Sequence, residues 1–231
     1  MITAVVTSHD RHDLLSRTLD SFFHFDTYPV TAVIVVEDGP DIAPEEVQAR
    51  FEHQPIVWIS TGRNVGQIAA IDYAYSRVTT PYVFHLEDDW EFYRPGFIEP
   101  SLTVLESNPK CLQVWLRAVG DTQRHPVEPH VYVDHGVPWR RMALQYSHKG
   151  DWHGFSFNPG LRRMRDYIAI GGYGANVRFE ADRPGAAESA ISTLYRSRDY
   201  FAAILADDDG SGYVHHIGVD RHVGPTGDHA S

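Results

Sequence analysis

Short apolar runs alternate with segments of helical spacing through roughly the first 90 residues, a pattern of strands and helices in regular succession. Ala4-Val5-Val6 is the first run, and it ends on Thr7-Ser8-His9-Asp10, a turn and helix-cap cluster. Leu14, Leu15, Thr18, Leu19, Phe22 and Phe23 then recur with helical spacing. Thr31 to Val36 is a β-branched run closed by the turn Glu37-Asp38-Gly39-Pro40, and Pro44 suits the first turn of a short helix. Ile56-Val57-Trp58-Ile59 predicts a third strand, with Gly62, Asn64 and Gly66 in the loop after it. Ile68 to Val78 suits a helix and Pro81 to Leu86 a fourth strand.

Buried strands separated by helices predict an α/β fold with a mostly parallel central sheet flanked by helices and right-handed crossovers. Ligands of such sheets bind beyond the carboxyl ends of the strands. The polar clusters Thr7–Arg11, Glu37–Asp38, Arg63–Gln67 and Glu87–Asp89 all fall at those ends. The second half is less regular. Phe97 to Glu106 has helical spacing, and Leu112-Gln113-Val114-Trp115-Leu116 and Val131-Tyr132-Val133 read as further strands. His135 to Pro159 is rich in Trp, His and Gly and predicts ordered loops. Helices are expected over Leu161–Ala169 and Ala186–Arg198, with a short strand over Tyr213–Ile217 before a polar tail. No repeat or linker divides the chain, which predicts one domain over residues 1–231.

Composition narrows the ligands. The chain has 231 residues, 42% hydrophobic and 22% charged, as an ordinary globular protein does. A formal net charge of -11 excludes general nucleic-acid binding, which needs a basic footprint. An anionic ligand therefore requires a local device, a metal ion or a small group of Arg and His, and the chain has 14 His. The single Cys111 forms no intramolecular disulfide, which fits a reducing compartment. The amino terminus lacks a basic leader, and no apolar run approaches the ~20 residues that span a bilayer. These features predict a soluble, cytoplasmic protein with no membrane partner.

The sharpest chemistry lies in Phe84-His85-Leu86-Glu87-Asp88-Asp89-Trp90. Strand alternation predicts that Glu87 and Asp89 share a face and that Asp88 points the other way. Three adjacent acids repel one another, and a divalent cation with oxygen ligands, Mg²⁺ or Mn²⁺, would relieve the repulsion. The structural alternative is a solvated acidic turn.

Taken in order, four segments resemble the family 2 glycosyltransferases of the GT-A fold. Val5-Val6-Thr7-Ser8-His9-Asp10-Arg11 is similar to their first strand and loop, Val35-Val36-Glu37-Asp38-Gly39 to their second strand, and Asn64-Val65-Gly66 to their next loop. Glu87-Asp88-Asp89 stands where these enzymes carry an Asp-X-Asp metal motif, with Glu in place of its first Asp. The resemblance implies a single GT-A (Rossmann-like) domain with a nucleotide-binding half, 1–95, and an acceptor-binding half, 96–231. It implies that Thr7, Ser8, Asp10 and Arg11 line the nucleotide pocket, that Asp38 accepts hydrogen bonds from base or ribose, and that Asn64 and Gln67 lie near it. Glu87 and Asp88 would join the nucleotide-sugar site, and Asp89 would be the direct ligand of Mn²⁺ or Mg²⁺. Each has a structural alternative: Ser8 or Asp10 as a helix cap, Asp38 as a turn former, Asn64 as a left-handed residue.

Transfer with inversion needs a base for the acceptor hydroxyl, stabilisation of the leaving diphosphate, and room for an oxocarbenium-like sugar. Gly171-Gly172-Tyr173 followed by Ala187-Glu188-Ser189 resembles the family's Gly-Gly-aromatic turn and acidic base, which implies Glu188 as that base. Glu180 and Asp182 are competitors, and an ordinary acid in a first helical turn is the structural alternative. Val214-His215-His216-Ile217-Gly218 resembles a terminal His-Ile-Gly stretch of GT-A enzymes, which implies His216 as a metal or diphosphate ligand; Arg221 and His222 lie just beyond and could bind diphosphate oxygens. Phe155 to Gly160 suits a loop over donor or acceptor, and Trp90, Trp115, Trp139 and Trp152 are candidates for stacking on sugars.

The reading is a metal-dependent inverting glycosyltransferase that moves a sugar from a nucleotide-diphosphate sugar to a hydroxyl of a soluble acceptor. One rival is a nucleotidyltransferase, whose Gly-rich first loop is missing from Thr7–Arg11. The other is a non-catalytic nucleotide-sugar-binding protein of the same fold.

Overall fold

The structure, a computed structural model, is described for residues 1–123, 125–143, 153–177, 185–206 and 210–218. It begins with β1 (Ile2–Ser8), α1 (His12–Phe25), β2 (Ala32–Glu37), α2 (Glu45–Arg50), β3 (Ile56–Ser60), α3 (Gln67–Tyr75) and β4 (Tyr82–Glu87). β5 (Trp90–Phe92), α4 (Ile98–Ser107), β6 (Cys111–Trp115), β7 (Val127–Asp134) and β8 (Val137–Met142) come next. The chain then forms β9 (Gly160–Arg163), α5 (Met164–Ala169), α6 (Ala186–Arg196), β10 (Phe201–Leu205) and β11 (Val214–His216).

One sheet has the order β3-β2-β1-β4-β9-β6-β10-β8-β7. β3, β2, β1 and β4 run parallel, as do β6 and β10. β9 is antiparallel to both β4 and β6, β8 to β10, and β7 to β8. β11 and β5 form a separate antiparallel pair. Every residue of β1 is buried, as expected of a strand covered on both faces. Leu14, Leu15, Thr18, Leu19 and Phe22 form the buried stripe of α1, and Phe22 meets Phe84, Phe92 and Phe97 with ring centroids 5.6–6.1 Å apart. A second apolar cluster on the other face gathers Val83, Tyr75, Phe155, Phe157, Tyr173 and Tyr195.

The structure corrects the sequence reading at several places. Leu161–Arg163 is strand, not helix: β9 wedges between β4 and β6, and only from Met164 does the chain turn helical. Its two arginines are buried, and Arg163 donates to the carbonyls of Cys111 at 2.7 Å and Asn108 at 2.8 Å and to Asp166 at 2.9 Å. Val137–Met142 is a strand inside a segment expected to be loop, while Phe201–Leu205 and Trp90–Phe92 are strands that carried no assignment. Trp90, Trp115 and Trp139 are at most 3% exposed and belong to the core, so they offer no face for a sugar; Trp152 lies outside the described residues. No helix among the described residues is long and apolar enough to cross a membrane.

Candidate active site

β1, β2 and β4 end together at Ser8, Glu37 and Glu87. Thr7 and Ser8 are buried there, Thr7 opposite Val36 and Glu87, Ser8 opposite Glu37. Because β9 runs the other way, its start at Gly160, opposite His85 and Trp115, brings the 155–159 segment to this same edge.

β4 stops at Glu87, so strand alternation does not extend through the acids. Asp88 and Asp89 occupy a turn and both receive Arg11, contrary to the expectation that Asp88 faces away. Arg11 Nη1 donates to Asp89 Oδ2 at 2.8 Å, Arg11 Nε donates to Asp88 Oδ2 at 3.1 Å, and Arg11 Nη2 pairs with Asp88 Oδ1. Asp88 is fully buried, also accepts the His9 N–H, and braces Arg11. Thr18 locks the turn to α1, donating to Asp88 O at 2.7 Å and accepting from Trp90 N at 3.1 Å. Neither Ser8 nor Asp10 caps α1, whose boundary residue is Arg11 with no side-chain cap. Asp10 has φ 51° and gives its N–H to Glu37 Oε1 at 2.5 Å.

A second group gathers at the loop after β3. Asp38 accepts from Val65 N at 2.7 Å, Gly66 N at 2.8 Å and Thr61 Oγ1 at 3.1 Å. Asp38 therefore organises that loop. His9 Nδ1 lies 2.6 Å from Asp38 O, a pure acceptor, so Nδ1 carries the proton. Its Nε2 then faces Asn64 Nδ2 at 3.2 Å, and Asn64 Oδ1 accepts Gly66 N at 3.1 Å. Asn64 is not among the residues with positive φ, so left-handed tolerance does not explain it. Gln67, opening α3, donates to Glu87 Oε1 at 2.6 Å. His9 was visible only as part of a polar cluster, and its bridging role is set by residues far along the chain.

The last described segment closes over Asp89. β11 pairs with β5, which sets His216 opposite Trp90. His216 Nε2 comes 3.3 Å from Asp89 Oδ2, and Ile217 N donates to Asp89 O at 2.8 Å. A Cβ on Gly218 would come 2.7 Å from Asp89 Cβ, a clash that only glycine avoids. Asp89 Oδ1 is buried with no hydrogen-bond partner among the described residues. His215 instead stacks on Tyr93, ring centroids 4.1 Å apart.

The first turn of α6 meets the 155–159 segment. Glu188 Oε1 accepts from Ser156 Oγ at 2.8 Å and from Phe157 N at 2.7 Å. Its charge reaches Glu87, whose carboxyl is pushed up to about 8 by burial and then by Asp89, Glu188 and Asp88. Asp88 is pushed up to about 7, chiefly by burial and against the pull of Arg11. Asp89 is held low: burial opposes its charge, but the His216 hydrogen bond and Arg11 outweigh it. Gly171 and Gly172 take φ 79° and 88° in the turn after α5. Asp72 of α3 pins the two residues beyond that turn, accepting from Tyr173 N at 3.0 Å and Gly174 N at 2.7 Å.

The site thus holds more acid than Arg11 neutralises, and an unpartnered carboxylate oxygen lies beside an imidazole. That donor set fits a divalent cation. Among the described residues no three His, Cys, Asp or Glu side chains converge as a metal cage, so further ligands would come from substrate or water. Glu180, Asp182, Arg221 and His222 lie outside the described residues.

No curated protein matches the chain. Among solved structures it resembles a mannosyltransferase, PcManGT from Pyrobaculum calidifontis, in complex with GDP-Man and Mn²⁺, with TM-score 0.62, 16% identity, and coverage of 90% of this chain and 55% of that one. It also resembles S. aureus TarS 1-349, with TM-score 0.63, 10% identity, and coverage of 94% and 60%. The chain therefore spans less than two thirds of these neighbours, and the likeness is one of fold, the GT-A fold implied by the sequence. The model of glycosyl transferase family 2 matches residues 3–169, most of the sheet and its acidic edge included, and the chain belongs to that family.

Proposed function

We propose that the protein is a metal-dependent inverting glycosyltransferase that uses a nucleotide-diphosphate sugar. The observation that carries this reading is the presence at one sheet edge of the Asp89–His216 pair and, held by Ser156 and Phe157 of the segment before β9, the Glu188 carboxylate. A leaving group and an acceptor need groups of these two kinds on either side of the sugar.

Asp89 and His216 would hold Mn²⁺ or Mg²⁺, which supplies positive charge against the departing diphosphate. Arg11 adds a second cation beside Asp89. The loop organised by Asp38, His9 and Asn64 would receive the nucleoside, and Glu87, held by Gln67, would face the sugar. Glu188 would take the proton from the acceptor hydroxyl as its oxygen attacks the anomeric carbon. Residues 1–95 would serve the donor and 96–231 the acceptor. A soluble acceptor and a cytoplasmic setting complete the reading, the latter on a single, buried Cys111.

The test is a thermal-shift screen of GDP- and UDP-sugars with and without Mn²⁺, followed by release of nucleoside diphosphate. Stabilisation that needs both cation and nucleotide sugar, with diphosphate release, is expected. Binding without release favours the non-catalytic rival, and release of pyrophosphate from a nucleoside triphosphate favours a nucleotidyltransferase.

A further inference from the structure

We infer that Arg162 is a positioning residue for the Glu188 carboxylate, acting through the peptide group between Ser156 and Phe157. The inference rests on the reading of Glu188 as the base.

Arg162 belongs to β9, opposite Val83 on β4 and Gln113 on β6, and is 3% exposed. Its side chain enters the core beneath α3 and α6. Nη1 faces Tyr75 Oη at 3.3 Å, and the guanidinium carbon lies 5.1 Å from the Phe155 ring centroid and 5.8 Å from that of Phe157. No carboxylate pairs with it among the described residues, and its Nε has no hydrogen-bond partner among them. Burying a guanidinium without a counter-ion is costly. Aromatic faces offset only part of that cost. A leucine or methionine would fill the space without the penalty, so the charge needs another reason.

The reason lies in what Nη2 holds. It donates to Ser156 O and, at 3.4 Å, to Asn158 O. Ser156 O and Phe157 N belong to one peptide group, and in a trans peptide the carbonyl and the N–H point in opposite directions. Fixing the oxygen on Arg162 therefore aims the N–H away from the core, at Glu188 Oε1 2.7 Å distant. The Ser156 hydroxyl reaches the same oxygen at 2.8 Å and accepts Asn158 N at 3.2 Å, so the turn that Arg162 grips also orients the hydroxyl. A cation on the carbonyl end polarises the peptide and strengthens its N–H as a donor to the anion. Two opposite charges thus hold opposite ends of one amide, and the base is fixed in place by a residue that never meets the substrate.

The experiment is a double-mutant cycle. Arg162→Met, Arg162→Gln and Ser156→Ala are each made in the wild type and in Glu188→Gln. Release of nucleoside diphosphate from GDP-mannose and a panel of UDP-sugars, with Mn²⁺, supplies kcat and KM. In the wild-type background Arg162→Met should lower kcat by roughly 10–100-fold, the scale of a misplaced catalytic group. Ser156→Ala should lower it less, and KM for the donor should hold. In the Glu188→Gln background neither should reduce kcat further. Amide exchange at Phe157 should quicken in Arg162→Met and in Glu188→Gln alike. If Arg162→Met does not fold, Arg162→Gln, which removes the cation from Ser156 O, and Ser156→Ala carry the cycle. Equal losses in both backgrounds would make Arg162 and Ser156 purely structural and overturn the inference. Near-normal turnover of Glu188→Gln alone, or a wild type that releases no diphosphate from any donor, overturns the reading of the base, and the inference falls with it.

Discussion

Arg11 and Asp89 are joined at 2.8 Å, and the carboxylate oxygen that receives Arg11 is the one His216 approaches at 3.3 Å. The same guanidinium is the ion-pair partner of the fully buried Asp88. Removing one member of a buried pair strands the other. Arg11→Met should therefore lower unfolding stability by about 3 kcal/mol, read as a shift in the urea midpoint, and Asp88→Asn in that background should recover part of the loss. An Arg11→Met protein as stable as the wild type would show that Asp88 does not depend on it.

Asp89→Asn should abolish turnover and leave the far-UV spectrum unchanged. His216→Ala should weaken Mn²⁺ binding at least about tenfold, since even groups behind a metal's ligands are worth 10–100-fold. Titration of Mn²⁺ by its paramagnetic signal checks both. A lowered melting temperature with an unchanged Mn²⁺ midpoint would assign His216 to packing against Trp90, 4.9 Å away ring to ring.

Gly218→Ala places a methyl group 2.7 Å from Asp89 Cβ. Overpacking of this kind costs about 1–3 kcal/mol. Because the carboxylate must move, Mn²⁺ affinity should fall along with the melting temperature. Loss of stability alone would separate Gly218 from the site.

Glu188→Gln removes the carboxylate at nearly constant size. Turnover should drop by roughly 10²–10⁴-fold, with donor affinity little changed. A small effect would move the assignment to Glu180 or Asp182.

Asp26 supplies a pH test away from the site. It ends α1, where the helix dipole disfavours negative charge. Burial, then nearby Glu99, push its carboxyl up to about 6, although Tyr28 N donates to it. The folded state therefore keeps a proton that the unfolded chain has lost between about pH 4 and pH 6. Stability from this group is present at the acid end and lost as pH rises through 6. Asp26→Asn should be more stable than the wild type at pH 7, and the difference should vanish near pH 4. Parallel stability curves would refute the assignment.

The parallel strands were legible because burial on both faces leaves continuous apolar runs such as Val33–Val36, bounded by turn residues. β9 was not, because Arg162 and Arg163 read as the polar face of a helix. Their charges are accommodated by carbonyls and aromatic rings that only the folded chain supplies. The acidic edge was legible as a set of residue types at strand ends. Its pairings were not, since Arg11 meets Asp88 across 77 positions and Ser156 meets Glu188 across 32. Spacing gives no access to such contacts. The segment Phe155–Gly160 stood out in the sequence, but nothing local marked Ser156 as a partner of an acid.

β9 pairs with β4 through residues as far apart as Tyr82 and Arg163, and with β6 through Gln113 and Arg162. Until Arg163 has been synthesised, the facing edges of β4 and β6 have no strand between them, and unpaired edges are where chains associate wrongly. Sheet completion thus waits on a long loop closure, which makes it a slow step. A cut near residue 95 would leave one fragment with the bare edge of β4 and the other with a β9 that has nothing to join on that side. A donor side in residues 1–95 and an acceptor side in 96–231, as proposed, would therefore differ in chemistry while sharing one sheet through β9.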